Sequence, residues 1–110
     1  MPKAFLTTIL FAFALPVMAA EYPATDQAGN AYPAECRRDL SAIKALIVPV
    51  DGFPNPNMQA LYVPSIGGSA DIILVSRKLT GWKYTDAVHH ERCHALMAKL
   101  HPATGGRWHP

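Results

Sequence analysis

The feature that most constrains this chain is a helix-favouring segment that runs to about Leu100 and is stopped by Pro102. It contains the run His90-Glu91-Arg92-Cys93-His94. Helix residues four positions apart lie about 6 Å apart on one face, so His90 and His94 can bind the same metal ion. The sequence therefore predicts a helix that presents two imidazoles to a metal.

The start of this helix is predicted from capping residues. Thr85 and Asp86 are both suitable N-caps, because their side chains can accept a hydrogen bond from the first helical N–H groups. In a helix beginning there, His89 falls on the core side with Cys93 and Leu96. We therefore expect His89 to be a packed residue or a partner of a ligand, not a ligand.

Glu91 lies roughly 100° around the helix from His90, beside the side that faces the metal. A carboxylate there can take a proton from water at a metal site. The pattern H-E-x-x-H on a helix resembles the signature of the zincin metallopeptidases. The resemblance implies a zinc site with Glu91 as general base, and a sheet edge beside the helix that holds an extended peptide. The last predicted strand, 71–76, is the expected edge.

A catalytic zinc usually has three protein ligands, so a third is required. His109 follows a Pro- and Gly-rich reversal at 102–106 that can bring it back across the helix. His101 is on the same helix face as His94, but about 10 Å further along the axis if the helix continues. We predict His109 as third ligand, with His101, an acidic residue or no third ligand as alternatives.

The sequence departs from the better-known zincin layouts after this motif. The metzincin pattern H-E-x-x-H-x-x-G-x-x-H fails, because Met97 stands at the glycine and Leu100 at the third histidine. A glutamate ligand on a later helix is also excluded, because no glutamate follows Glu91. The resemblance therefore extends to the superfamily and to no subfamily.

Residues 1–20 are predicted to be a signal peptide. Lys3 is followed by an apolar run, Ala4 to Val17, and then by small residues that permit cleavage after Ala19 or Ala20. The run is short for a membrane span, which needs about 20 residues, so a cleaved leader is favoured over the alternative, an uncleaved N-terminal anchor. An exported protein, periplasmic or extracellular, is expected.

Charge and length narrow the function classes. The formal net charge of +2 falls to about +1 when Lys3 is removed, and this argues against nucleic acid as a partner. About 90 remaining residues suffice for one small domain near the lower limit of independent stability.

The two cysteines, Cys36 and Cys93, are predicted to form a disulfide, because an exported chain folds in an oxidising compartment. Such a bond would tie an N-terminal segment to the motif helix. A buried free thiol and a metal ligand at Cys93 are the alternatives.

The rest of the sequence predicts a small α+β fold. Residues 21–34 are expected to be a loosely ordered arm, and 35–110 a single zincin-like metal-binding domain. A short helix is predicted at 35–43. Apolar runs bounded by Pro and Gly predict three short strands in an antiparallel or mixed sheet packed on the motif helix, at 44–50, 58–63 and 71–76.

Two functions from different classes fit these features. The first is an exported zinc metallopeptidase that cleaves a peptide or the peptide part of cell wall, with no nucleic-acid partner and no membrane span after cleavage. The second is a non-catalytic metal-binding or interaction protein with a structural zinc. Glu91 favours the enzyme, because a structural site needs no adjacent base.

Overall fold

A computed structural model describes residues 22–65 and 70–110. The predicted signal peptide lies outside the described residues. The described chain forms three strands, β1 (Leu46–Val50), β2 (Ala60–Val63) and β3 (Ile72–Ser76), followed by one long helix, α1 (Gly81–Leu100). The sheet packs against α1, so the predicted small α+β fold is confirmed. None of the described helices is long and apolar enough to cross a membrane.

The sheet is mixed, with strand order β1-β3-β2. β3 runs parallel to β1 and antiparallel to β2. The expectation that the last strand forms the sheet edge is therefore wrong. β3 is central because it is the most apolar strand, with Ile73 and Val75 fully buried. Pro49, which cannot donate a backbone hydrogen bond, lies in the edge strand β1.

The helix begins earlier than the capping residues predict. Thr80 has an extended backbone and precedes the first helical residue, Gly81. Thr85 lies inside α1, where its hydroxyl donates to the Gly81 carbonyl at 3.3 Å. The Asp86 carboxylate accepts hydrogen bonds from the Tyr32 hydroxyl and the Gln27 N–H, so it holds the N-terminal segment and does not cap the helix.

The predicted helix at 35–43 is also wrong. Only Ala34–Cys36 forms a single 3₁₀ turn. Downstream of it, the Asp39 carboxylate accepts a hydrogen bond from the Ser41 N–H at 2.8 Å. Such local bonds between side chain and backbone compete with helix formation, and a helix this short has little cooperativity to resist them.

The disulfide predicted between Cys36 and Cys93 is present. Both cysteines are fully buried within a core cluster that connects the N-terminal segment to α1. The cluster consists of Tyr32, Cys36, Leu40, Cys93, Leu96 and Met97, with Ile43 and Trp108 packed against it. The motif helix is thus fixed to the segment that precedes the sheet at Cys93, which lies between its two histidines.

Candidate metal centre

Three histidines meet above one face of α1. His90 and His94 come from adjacent turns of the helix, and His109 comes from the chain that follows it. Their Nε2 atoms form a nearly equilateral triangle, with sides of 3.1 Å between His94 and His109 and 3.2 Å for the other two pairs. His101 is outside this group, because its exposed imidazole lies 3.9 Å from the Glu35 carboxylate.

The opposite ring nitrogen of each histidine faces an oxygen that accepts hydrogen bonds. His90 Nδ1 lies 2.8 Å from an Asp26 carboxylate oxygen. His94 Nδ1 lies 2.9 Å from the Gly106 carbonyl, and His109 Nδ1 lies 3.0 Å from the Pro110 carbonyl. Because each oxygen needs a donor, the proton of each neutral ring is assigned to Nδ1.

The three Nε2 atoms therefore bear lone pairs that point at one another without a proton between them. Burial is the largest of the causes that lower the pKa of His90, to about 4, and of His94, so these two rings are neutral near pH 7. Their converging lone pairs favour a cation between them. Metal–nitrogen bonds of about 2.0–2.1 Å at near-tetrahedral angles require nitrogens about 3.3 Å apart, close to the observed spacing. His90, His94 and His109 could thus hold one metal ion.

His90 is oriented by a turn in the segment 22–34, which the sequence predicts to be loosely ordered. Asp26 is buried there and accepts four hydrogen bonds, from the Ala28 N–H, from the Asn30 N–H and side-chain amide, and from His90. Burial alone would raise the pKa of Asp26, but these bonds and His90 outweigh it and lower the pKa below its usual value. A fully ionised carboxylate fixes the tautomer of His90.

His109 is brought to the helix by a tight reversal after Pro102. Gly105 and Gly106 both have positive φ, 63° and 92°. At Gly106 an added Cβ would lie 2.5 Å from the His94 carbonyl oxygen, so only glycine permits this close approach to α1. The same Gly106 accepts the hydrogen bond from the His94 ring.

The Trp108 indole covers the inner side of the histidine cluster. Its ring centroid lies 4.7 to 5.4 Å from the centroids of His90, His94 and His109. On its other side it packs against Tyr32 at 5.1 Å. No sequence motif marks this role of Trp108, although its position between Gly106 and a candidate ligand is a signal for it.

Glu91 lies beside the cluster and is buried. One carboxylate oxygen is 3.8 Å from His90 Nε2. Burial raises the pKa of Glu91 to about 7, although a hydrogen bond from the Tyr62 N–H of β2 opposes the increase. A carboxylate with this pKa and position is suited to accept a proton from water near the metal site.

His89 does not belong to the metal cluster. Its Nε2–H donates to the Cys36 carbonyl at 2.6 Å, and its ring is stacked on Tyr22 and in edge contact with Tyr32. It is a packed core residue, one of the two roles that the sequence predicts for it.

A cleft of about 320 Å³ opens beside the cluster. His90, Glu91 and His109 form its floor, while the turn at 26–30 and the chain from Asn55 to Ala60 form its walls. The site is therefore reachable from solvent on the side that bears Glu91.

Comparison of the chain with protein-family models, with curated proteins and with solved structures gave no match. The arguments about function therefore depend on the geometry of the site.

Asp26→Asn is expected to lower the affinity of the histidine cluster for a metal ion about 10- to 100-fold, as loss of a ligand's hydrogen-bond partner usually does. The amide keeps an oxygen for the turn, but its NH₂ group competes with the His90 Nδ1 proton. Competition with a chromophoric chelator measures the affinity. Asp51→Asn, at a fully exposed carboxylate, is the matched control. Equal affinity in the two variants would contradict the role of Asp26.

Proposed function

We propose that this protein is an exported zinc metallopeptidase that cleaves peptide bonds with water. The observation that carries the proposal is the combination of three converging Nε2 lone pairs with the Glu91 carboxylate 3.8 Å from one of them. Three imidazoles and an open side are typical of catalytic zinc sites, whereas structural sites are closed by four protein ligands.

Zinc at this site would supply a Lewis acid to polarise water and the scissile carbonyl. His90, His94 and His109 would hold it, and their Nδ1 hydrogen bonds keep their Nε2 lone pairs directed at one point. Glu91 accepts the proton of the attacking water and then gives it to the leaving amine. The backbone N–H of Tyr62 in β2 favours the ionised form of the Glu91 carboxylate.

The edge of β2 provides a surface for an extended peptide. The Ser76 N–H donates to the Gln59 carbonyl at 2.9 Å, so the backbone of Gln59 faces β3. Backbone groups alternate along an antiparallel strand, which directs those of Ala60 away from the sheet and the N–H of Tyr62 toward Glu91. Ala60 lines the cleft. An extended peptide can pair with this edge as an added strand.

A structural zinc is the alternative, and the position of His109 favours it. The metal would then hold the C-terminal return against α1 and stabilise a small domain. The open cleft and the buried base beside the ligands favour the enzyme.

The test is zinc-dependent cleavage of a peptide mixture, followed by mass spectrometry. We expect new peptide termini to appear with the purified protein, to stop when a chelator removes the metal, and to return when zinc is restored. Full zinc occupancy with no cleavage of any peptide would contradict the proposal and support the structural role.

A further inference from the structure

The distribution of carboxamide side chains is the most unusual feature of the cleft. The chain contains five of them, and all five line the space beside the histidines: Gln27, Asn30, Asn55, Asn57 and Gln59. They come from both walls, the turn at 26–30 and the loop before β2. A concentration of this kind gives the cleft many neutral donors and acceptors on opposite sides.

Three of these side chains already have structural partners. Gln27 donates to the Lys83 carbonyl, Asn30 donates to Asp26, and Asn55 accepts from the Asn57 N–H. The side chains of Asn57 and Gln59 make no hydrogen bond to any other part of the described chain. Both are exposed, and both lie on the wall that leads into β2. They are therefore available to a ligand in the cleft.

The charge of the cleft limits what can enter it. Its lining includes the carboxylates of Asp26, Asp86 and Glu91 but no lysine or arginine. Apart from the metal site itself, the cleft has no basic side chain to pair with an acidic ligand, and its own carboxylates repel one. Acidic side chains are therefore disfavoured along the wall that bears Asn57 and Gln59.

We propose that the cleft selects extended peptides with uncharged, hydrogen-bonding side chains, such as Asn, Gln, Ser and Thr, beside the scissile bond. The outward backbone groups of Ala60 favour an extended peptide over a glycan, since a peptide can continue the sheet. The side chains of Asn57 and Gln59 then face those of the peptide. A carboxamide pair exchanges two hydrogen bonds, whereas an apolar side chain displaces water from the carboxamide of the protein and offers it no partner. This selectivity rests on the proposed function for its peptide substrate.

The side-chain NH₂ signals of a ¹⁵N-labelled protein report this binding directly, because every Asn and Gln of the chain lines the cleft. We would titrate zinc-loaded Glu91→Gln, which prevents turnover and adds one assignable NH₂ pair, with capped peptides bearing Gln-Asn, Leu-Leu or Glu-Glu at the centre. The Gln-Asn peptide is expected to shift the Asn57 and Gln59 signals and to bind about tenfold more tightly than the other two.

Gln59→Leu in the same background should remove this preference, while Met58→Leu, on the same wall but without a carboxamide change, should keep it. Equal affinity for the three peptides, or binding of none of them, would overturn the inference.

Cleavage of the same three peptides by the wild-type protein separates this inference from the proposed function. Selective binding without cleavage at full zinc occupancy would contradict the peptidase and leave the selectivity in place. Cleavage of all three peptides at equal rates would support the peptidase and contradict the selectivity.

Discussion

Glu91→Gln is expected to lower kcat for peptide cleavage by about 10²- to 10⁴-fold, the usual loss when a general base is removed. Glutamine has nearly the same shape, and its carbonyl oxygen can still accept the hydrogen bond from the Tyr62 N–H. It cannot accept a proton from water. The three imidazoles are untouched, so zinc content should equal that of wild type.

The matched control is Glu35→Gln, the same substitution at an exposed carboxylate next to His101. It should leave both cleavage and zinc content unchanged. If Glu91→Gln retained more than about a tenth of wild-type kcat, Glu91 would not be the base, and the role that the motif assigns to it would be wrong.

Removing the disulfide by Cys36→Ala with Cys93→Ala is expected to lower the free energy of unfolding by about 4 kcal/mol. The bond joins residues 57 positions apart, and closing a loop of that length removes much of the entropy of the unfolded chain. A domain of this size has a total stability of only about 5–10 kcal/mol. We therefore expect a fall in Tm of about 15–30 °C, measured by thermal unfolding with the metal chelated.

The double variant Cys36→Ser with Cys93→Ser is the companion measurement, because both pairs open the same loop. A similar loss in the two variants would attribute the effect to the bond itself, whereas a much larger loss with serine would point to burial of hydroxyls. A loss below about 1 kcal/mol in the alanine variant would contradict a constraint from this loop.

Local patterns predicted the parts of the site that lie within one element. The spacing of His90 and His94 and the base between them follow from helix geometry, and the end of the helix near Leu100 follows from Pro102. The three strands were found within two residues at each end, because Pro and Gly separate the apolar runs. The disulfide followed from counting cysteines in a chain expected to be exported.

Contacts between distant segments could not be predicted in the same way. Asp26 reaches His90 from 64 positions away, and a polar turn rich in small residues gives no local signal of such a role. The start of α1 was misplaced because Asp86, a good N-cap by type, is engaged by Tyr32. The strand order depends on which strand is most deeply buried. The sequence indicates burial only indirectly, through how apolar each strand is.

The most direct test of the central claim is the metal content of the purified protein, measured by elemental mass spectrometry. About one zinc per chain is predicted in wild type and in His101→Ala, whose imidazole points away from the cluster. His90→Ala, His94→Ala and His109→Ala should each lose most of it. Wild-type protein that binds no zinc without chelators present, or a site that survives His109→Ala but not His101→Ala, would contradict the metal centre described above.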